Sequence, residues 1–256
     1  MSRSAARALA HAPAETQRKP LLMSGAWCDL AILNYEVDRA VLADRVPPGC
    51  ELDDWQGKHF VTVAGFRFLR PRLLGFGLPF LSDVLEVDLG FYVRRHAGSA
   101  WRRGVALIKE LSSRRLFAFL ARRLFGEDAV ALPMRHTHLS AAGHDGRLFT
   151  YGWRRRGAWE SLSVRSAGAP IAVAEESEEE FLMNRYWGFA RRRGVTFEYQ
   201  IEHPRWRLFR GDAARLEADI PRLFGPEFME ALSFPPRTAL TADGSSVIVR
   251  QRHRIG

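Results

Sequence analysis

This sequence predicts a mainly β fold with peripheral helices, on three observations. His59 to Leu69, HFVTVAGFRFL, concentrates β-branched and aromatic residues in one run. Val84 to Arg94 alternates cleanly: Leu85, Val87, Leu89, Phe91 and Val93 share one face, and Val84, Glu86, Asp88, Gly90 and Tyr92 share the other. Residues 132–140, 147–155 and 158–166 read as consecutive antiparallel strands, joined at His144-Asp145-Gly146 and Arg156-Gly157.

The elements follow in order. Residues 1–20 lack a sustained apolar core and are expected as a mobile tail rather than a signal peptide. Trp27 to Val37 is a first strand, and Asp38 to Val46 a short helix stopped by Pro47-Pro48-Gly49. Gly65 marks a bulge inside the 59–69 strand, and residues 70–83 form a loop. The 84–94 strand pairs as a hairpin with Arg103 to Leu111. Ser112 to Gly126 is a helix capped by Ser112 or Ser113, with Leu116, Phe117, Leu120 and Leu124 inward and Arg114, Arg115, Arg122 and Arg123 outward. Ser177-x-x-Glu180 is a capping box that opens a helix from Glu178 to Arg193. Late strands are expected at 197–201 and 206–209, short helices near 212–224 and 226–232, and a last strand at 246–252. No internal repeat and no linker after residue 20 are visible, so residues 21–256 are expected to form one domain.

Composition sets the outer limits. The chain has 256 residues, 46% hydrophobic and 26% charged, ordinary values that exclude collagen-like and wholly disordered classes. No apolar run approaches the roughly 18 residues of a membrane span. Net charge is +9, yet only Lys19, Lys58 and Lys109 among the 38 basic residues are lysines. That skew is what a biased genome produces, and nucleic acid is not the favoured partner. Cys28 and Cys50 are too few and too separate for a disulfide framework, which fits a reduced cytoplasmic compartment. A homo-oligomer stays open.

Lys109 is the sharpest chemical feature. On a regular strand Val105, Leu107, Lys109 and Leu111 share one face, and an inward amine there is desolvated, which disfavours its charge. A neutral amine attacks carbonyls to form a Schiff base. The alternative is a lysine that snorkels to water or pairs with a carboxylate. Glu86, with Asp88 and Tyr92, approaches Lys109 from the neighbouring strand, whereas Glu110 points to the opposite face. Met134, His136 and His138 also share a face, and with His144 or His96 this H-x-H pair offers metal ligands. No carboxylate or cysteine has a matching spacing, so ordinary packed histidines are favoured and no metal or cofactor is expected. Arg94 to Arg123 holds nine Lys/Arg against one acid, Glu110, a patch suited to an anionic surface or to nucleic acid. The common nucleotide and hydrolase motifs are absent.

Several segments together resemble the YqjF-like bacterial proteins, an uncharacterised family. They are Trp27…Asn34-Tyr35-x-Val37, Leu42…Val46-Pro47-Pro48-Gly49-x-Glu51-Leu52-Asp53, Phe60-Val61…Phe66-x-Phe68, Glu86-Val87-Asp88…Tyr92-Val93, Phe181-Leu182…Arg185-Tyr186 and His203-Pro204-x-Trp206. The resemblance runs from about Trp27 to Leu208. It implies a fold like that of acetoacetate decarboxylase, an antiparallel cone-shaped barrel around an apolar cavity. Those enzymes use a lysine Schiff base on a strand carrying two consecutive lysines before a leucine. Lys109 matches the reactive position and Glu110 replaces the second lysine. Asp88 stands where the YqjF-like pattern has asparagine, and Gly90 where it has arginine, which removes a carboxylate clamp. The resulting expectation is a protein that binds a small keto-acid-like molecule. Lys109 and Glu86 are its candidate catalytic groups, and Asp88, Tyr92 and Leu107 its candidate substrate contacts. Its rivals are a non-catalytic ligand binder or sensor, and an anionic-surface binder through Arg94–Arg123.

Overall fold

The computed structural model describes residues 19–140 and 146–255. Most of the expected tail, and His144 with its turn, lie outside the described residues. β1 (Leu21–Val37) and α1 (Arg39–Ala43) lead through β2 (Glu51–Leu52) to β3 (His59–Leu73), β4 (Phe76–Gly77), β5 (Asp83–Ala97) and β6 (Ala100–Ser112). Helix α2 (Arg115–Leu120) widens into a π turn, Ala121–Phe125, followed by β7 (Ala129–Ala131), β8 (Met134–Ser140), β9 (Arg147–Arg155) and β10 (Ala158–Ser166). Then come α3 (Glu178–Met183), β11 (Trp187–Arg192), β12 (Val195–Glu202), β13 (Leu208–Glu217), α4 (Ile220–Leu223), α5 (Met229–Ser233), β14 (Thr238–Arg250) and β15 (His253–Ile255).

Seven strands close on themselves in the order β12-β11-β6-β5-β3-β1-β14, and the ring is completed where Ile201 and Glu202 of β12 pair with Val249 and Ile248 of β14. Closure leaves no free edge in the ring. The expected hairpin of β5 and β6 is present, and all joints are antiparallel except one, where Trp187 and Gly188 run parallel to Gly104 and Val105. A Cβ at Gly104 would fall on the Trp187 backbone, so this joint requires glycine.

Beyond β14 the sheet continues through β13, β10, β9 and β8. Phe149, Tyr151, Trp153, Leu162 and Val164 of this extension pack on Leu33, Val61, Val63, Leu89 and Phe91 of the ring. Thus one face of β5, the Val87–Leu89–Phe91–Val93 face, is buried between layers, and its other face is left for the barrel interior. Gly65 serves this packing: a Cβ there would come 2.5 Å from the Tyr151 ring. The expected bulge lies instead in the partner strand, between Cys28 and Ala31, where Asp29 adopts a left-handed φ of 55°.

Five expectations are corrected. The 70–83 segment is not all loop, because β3 runs to Leu73 and turns back through β4. The helix after β6 begins at Arg115, since Ser112 still belongs to the strand; Leu116 is exposed rather than inward, while Gly126 ends the π turn as expected, at φ 83°. The helix after Ser177 is capped as predicted, Ser177 Oγ accepting from Glu180 N at 3.2 Å, but it stops at Met183. Residues 187–192 are drawn into the barrel as β11, where pairing on both sides outweighs helix propensity. Residues 212–217 likewise extend β13 rather than starting a helix. The strand expected at 246–252 is the end of β14, which begins at Thr238 and pairs with β1 along most of its length, and β15 follows it.

Candidate functional site

Glu86, Asp88, Gly90 and Tyr92, the interior face of β5, line a cavity of about 230 Å³ inside the barrel. Its walls are largely apolar: Leu30, Ile32 and Phe66 on one side, Phe117 and Phe125 from α2 and its π turn on another, and Trp27 and Trp206 beyond.

The β6 wall departs from regular alternation. Leu89 pairs with Lys109 and Gly90 with Leu107, so Ile108 is an extra residue, a β-bulge. Before it Val105 and Leu107 face inward; after it the inward position passes to Glu110, the cross-strand partner of Asp88. Lys109 faces away from the cavity and its Nζ donates to Asp128 Oδ2 at 2.8 Å. Four of the five predicted residues, Glu86, Asp88, Tyr92 and Leu107, are therefore brought together, and Lys109 is not among them. The shared face drawn from sequence through Val105, Leu107, Lys109 and Leu111 is broken by one residue. Glu110, placed by sequence on the far side from the chemistry, is inside.

A fourth carboxyl joins Glu86, Asp88 and Glu110. β7 runs parallel to the end of β6, pairing Ala129 with Glu110, and this sets Glu127 beside the cluster. The Tyr199 hydroxyl donates to Glu127 Oε1 at 2.6 Å, and Glu110 and Glu127 lie close enough to share a proton. A Cβ at Gly188 would fall on the Tyr199 ring, so that glycine makes room for the tyrosine.

All four carboxyls hold their protons above the ordinary carboxylate range. Burial is the largest cause in each, and the neighbouring acids add to it: Asp88 and Glu127 for Glu86, Glu127 for Asp88, and Glu86 first for Glu110. No cation is among the principal causes for any of them. Burial of a carboxylate without a counter-charge is expensive, so each group favours its protonated form more than a free acid does, and the four titrate as a set. Among the described residues Glu86 Oε1, Asp88 Oδ1 and Glu110 Oε1 have no hydrogen-bond partner. Chemically, such a set donates and accepts hydrogen bonds as neutral acid, and can pass a proton along Tyr199, Glu127 and Glu110.

Higher along β5 the lining changes character. The Tyr92 hydroxyl lies 2.6 Å from Thr62 Oγ1 and donates to Asn34 Oδ1 at 3.2 Å, and burial pushes the phenol up to about 12. The Arg185 guanidinium sits over the Tyr92 and Phe181 rings, 4.6 and 4.0 Å from their centroids, and its Nη1 donates to the buried Asp53 at 2.5 Å. Six residues of extended strand separate Tyr92 from Glu86, about 20 Å, so Arg185 does not neutralise the acids. His203 stacks on Trp206 with 4.4 Å between centroids, and burial holds it below the usual histidine range.

Sequence reading missed Glu110, Glu127, Arg185, Tyr199 and His203. Arg185 and His203 stood in the motifs of the family resemblance without a role attached. The strand glycine Gly90, opposite the bulge, was the one local signal of irregular pairing. His136 and His138 both approach Asp29, at 3.7 and 3.8 Å, but among the described residues no group of three or more side chains is arranged to hold a metal ion. His96 packs edge-on against Trp101 instead. The Arg94–Arg123 stretch divides in two. Arg95 and Arg102 pair with buried Glu198, and Arg94 and Arg103 with Glu51 or Asp53, while Arg114, Arg115, Arg122 and Arg123 are exposed.

No curated protein matches the chain. Solved structures do. An acetoacetate decarboxylase-like enzyme from Sphingomonas wittichii RW1 superposes with a TM-score of 0.62 at 13% identity, covering 92% of this chain and 93% of its own. Acetoacetate decarboxylase from Legionella pneumophila gives 0.62 at 11%, covering 100% and 96%. The enduracididine biosynthesis enzyme MppR, complexed with pyruvate, gives 0.63 at 10%, covering 97% and 96%. At such identities the likeness establishes the fold, which is acetoacetate decarboxylase-like, as the resemblance implied. Residues 24–245 match the model of DUF2071, described as an uncharacterized conserved protein, and the chain belongs to that family.

Proposed function

We propose that the protein binds a small, uncharged or cationic organic molecule in the barrel cavity, with the polar end of the ligand at Glu86, Asp88, Glu110 and Glu127. The observation that carries this reading is the cavity itself: about 230 Å³, walled largely by apolar side chains, with four carboxyls gathered at one end. Cavities of about 150 Å³ accept benzene, so a ligand somewhat larger than one aromatic ring fits. MppR's complex with pyruvate is a precedent for small-molecule binding in this fold.

The keto-acid version is less well supported. A keto acid's carboxylate finds no cation among the four acids to clamp it, and Arg185 is already committed to Asp53. Schiff-base chemistry at Lys109 needs an amine in the cavity, and this amine is bound to Asp128 outside it. Binding, with proton exchange at the acid cluster, is the function the geometry favours.

Thermal unfolding with phenylbutylamine, phenylbutanol and phenylbutyrate tests the reading. These share one apolar body and differ in the head group. The amine and the alcohol are expected to raise Tm in a concentration-dependent way, and the carboxylate is not. Silence from all three, or stabilisation by the carboxylate alone, overturns the proposal.

A further inference from the structure

The barrel end nearest the acid cluster has an outer surface that ligand binding does not use. The ladder locates it. Leu69 pairs with Asp83 and Glu86 pairs with Ser112, so the β3–β5 connection and the start of α2 lie at the same end. In that connection Leu78 tucks into the apolar cluster of Phe68, Leu81 and Phe117. Its neighbours point the other way: Phe80 is 95% exposed, Phe76 79%, and Leu74 more than half. Helix α2 repeats the pattern, with Phe117 inside and Leu116 and Phe119 about half exposed.

Arginines share these two segments with the exposed apolar side chains. Arg70, Arg72, Arg114, Arg115, Arg122 and Arg123 are all exposed. Among the described residues none of the six is paired with a carboxylate. The acids adjoining them in sequence, Asp83 and Asp128, are committed to Arg67 and Lys109. Exposed aromatic side chains framed by unpaired cations are an unfavourable surface for water alone, and a recurrent one for association.

We propose that this end of the barrel docks on an anionic lipid bilayer, with Phe76, Phe80 and Phe119 entering the acyl boundary and the six arginines meeting lipid phosphates. Charge complementarity selects this partner. A second copy of the chain would set six cations against six. A nucleic acid would satisfy the arginines, but Leu74 and Leu116 have no ring face for a base to stack on. A bilayer accepts apolar side chains of any shape at its boundary and anionic headgroups around them.

Co-sedimentation of the full chain with vesicles decides it. Retention is expected on mixed phosphatidylcholine–phosphatidylglycerol vesicles and much less on phosphatidylcholine alone. Each arginine at such a surface adds about fivefold to binding, so Arg70→Glu with Arg72→Glu should weaken retention by about 25-fold or more. Phe76→Ser with Phe80→Ser should weaken it about tenfold per residue inserted. Leu139→Ser, which removes an exposed leucine on β8 instead, should bind as the parent does, and circular dichroism confirms that each variant is folded. The proposal fails if the parent is not retained on the mixed vesicles, or if either double variant binds like the parent. It fails equally if the phenylalanines prove to hold a dimer together in sedimentation velocity, or if an oligonucleotide is bound and the vesicles are not.

Discussion

Glu110→Gln should make the protein markedly less sensitive to rising pH. Glutamine keeps the shape and hydrogen-bonding capacity of a protonated carboxyl but cannot ionise. In the folded protein, burial first and then Glu86, Glu127 and Asp88 hold the Glu110 proton well above the ordinary glutamate range. In the unfolded chain that proton leaves near the usual value of about 4.3. The folded state therefore binds the extra proton, and stability falls as pH rises above the unfolded value, until the folded carboxyl itself ionises. One retained proton corresponds to about 1.4 kcal/mol per pH unit. Over each pH unit above about pH 5 in which the folded carboxyl still holds its proton, the parent should lose about 1.4 kcal/mol more than the variant. His136 and His203, held low by burial, act in the opposite sense as pH falls below their unfolded value, but they are common to both proteins and cancel in the difference. Urea unfolding of parent and variant across that range supplies the two curves. If they run parallel, Glu110 is ionised in the folded state and the uncompensated acid cluster is wrong.

Three further outcomes are expected. Asp53→Ala leaves the buried Arg185 guanidinium without its partner and should destabilise the fold by about 3–5 kcal/mol, read from the urea midpoint. Gly188→Ala drives a methyl into the Tyr199 ring and should cost about 1–3 kcal/mol while parting Tyr199 from Glu127, and tyrosine absorbance during alkaline titration should shift with it. Borohydride reduction in the presence of pyruvate or acetoacetate should leave Lys109 unmodified by peptide mapping, since its amine lies outside the cavity; a stoichiometric adduct there would restore the lysine chemistry expected from sequence.

Alternation along β5 was fully legible, because a strand buried on both sides still carries a period of two, and the two faces differ in kind: Val87, Leu89 and Phe91 against Glu86, Asp88 and Tyr92. That one strand delivered three of the cavity residues. The neighbouring strand misled because the period is counted from residue to residue, and the extra Ile108 is set by pairing with β5, not by anything adjacent to it in sequence. Glu127 was invisible for a related reason. It reaches the cluster through a π turn and a parallel pairing of β7, both tertiary outcomes. The Ser177 cap announced where α3 starts, since capping is local. Where α3 ends depends on β11 being claimed by the barrel, which no window of a dozen residues contains.

The bulge at Ile108 also bears on how relatives should be compared. Lys109 and Glu110 are consecutive letters of opposite charge, and the rung at which the strand absorbs its surplus residue decides which of them meets the ligand. A chain identical in this stretch but irregular two rungs later would offer an amine where this one offers an acid. Letter-by-letter alignment therefore cannot transfer chemistry across this wall; only a count of ladder positions, made from coordinates, tells an electrophile trap from a proton store.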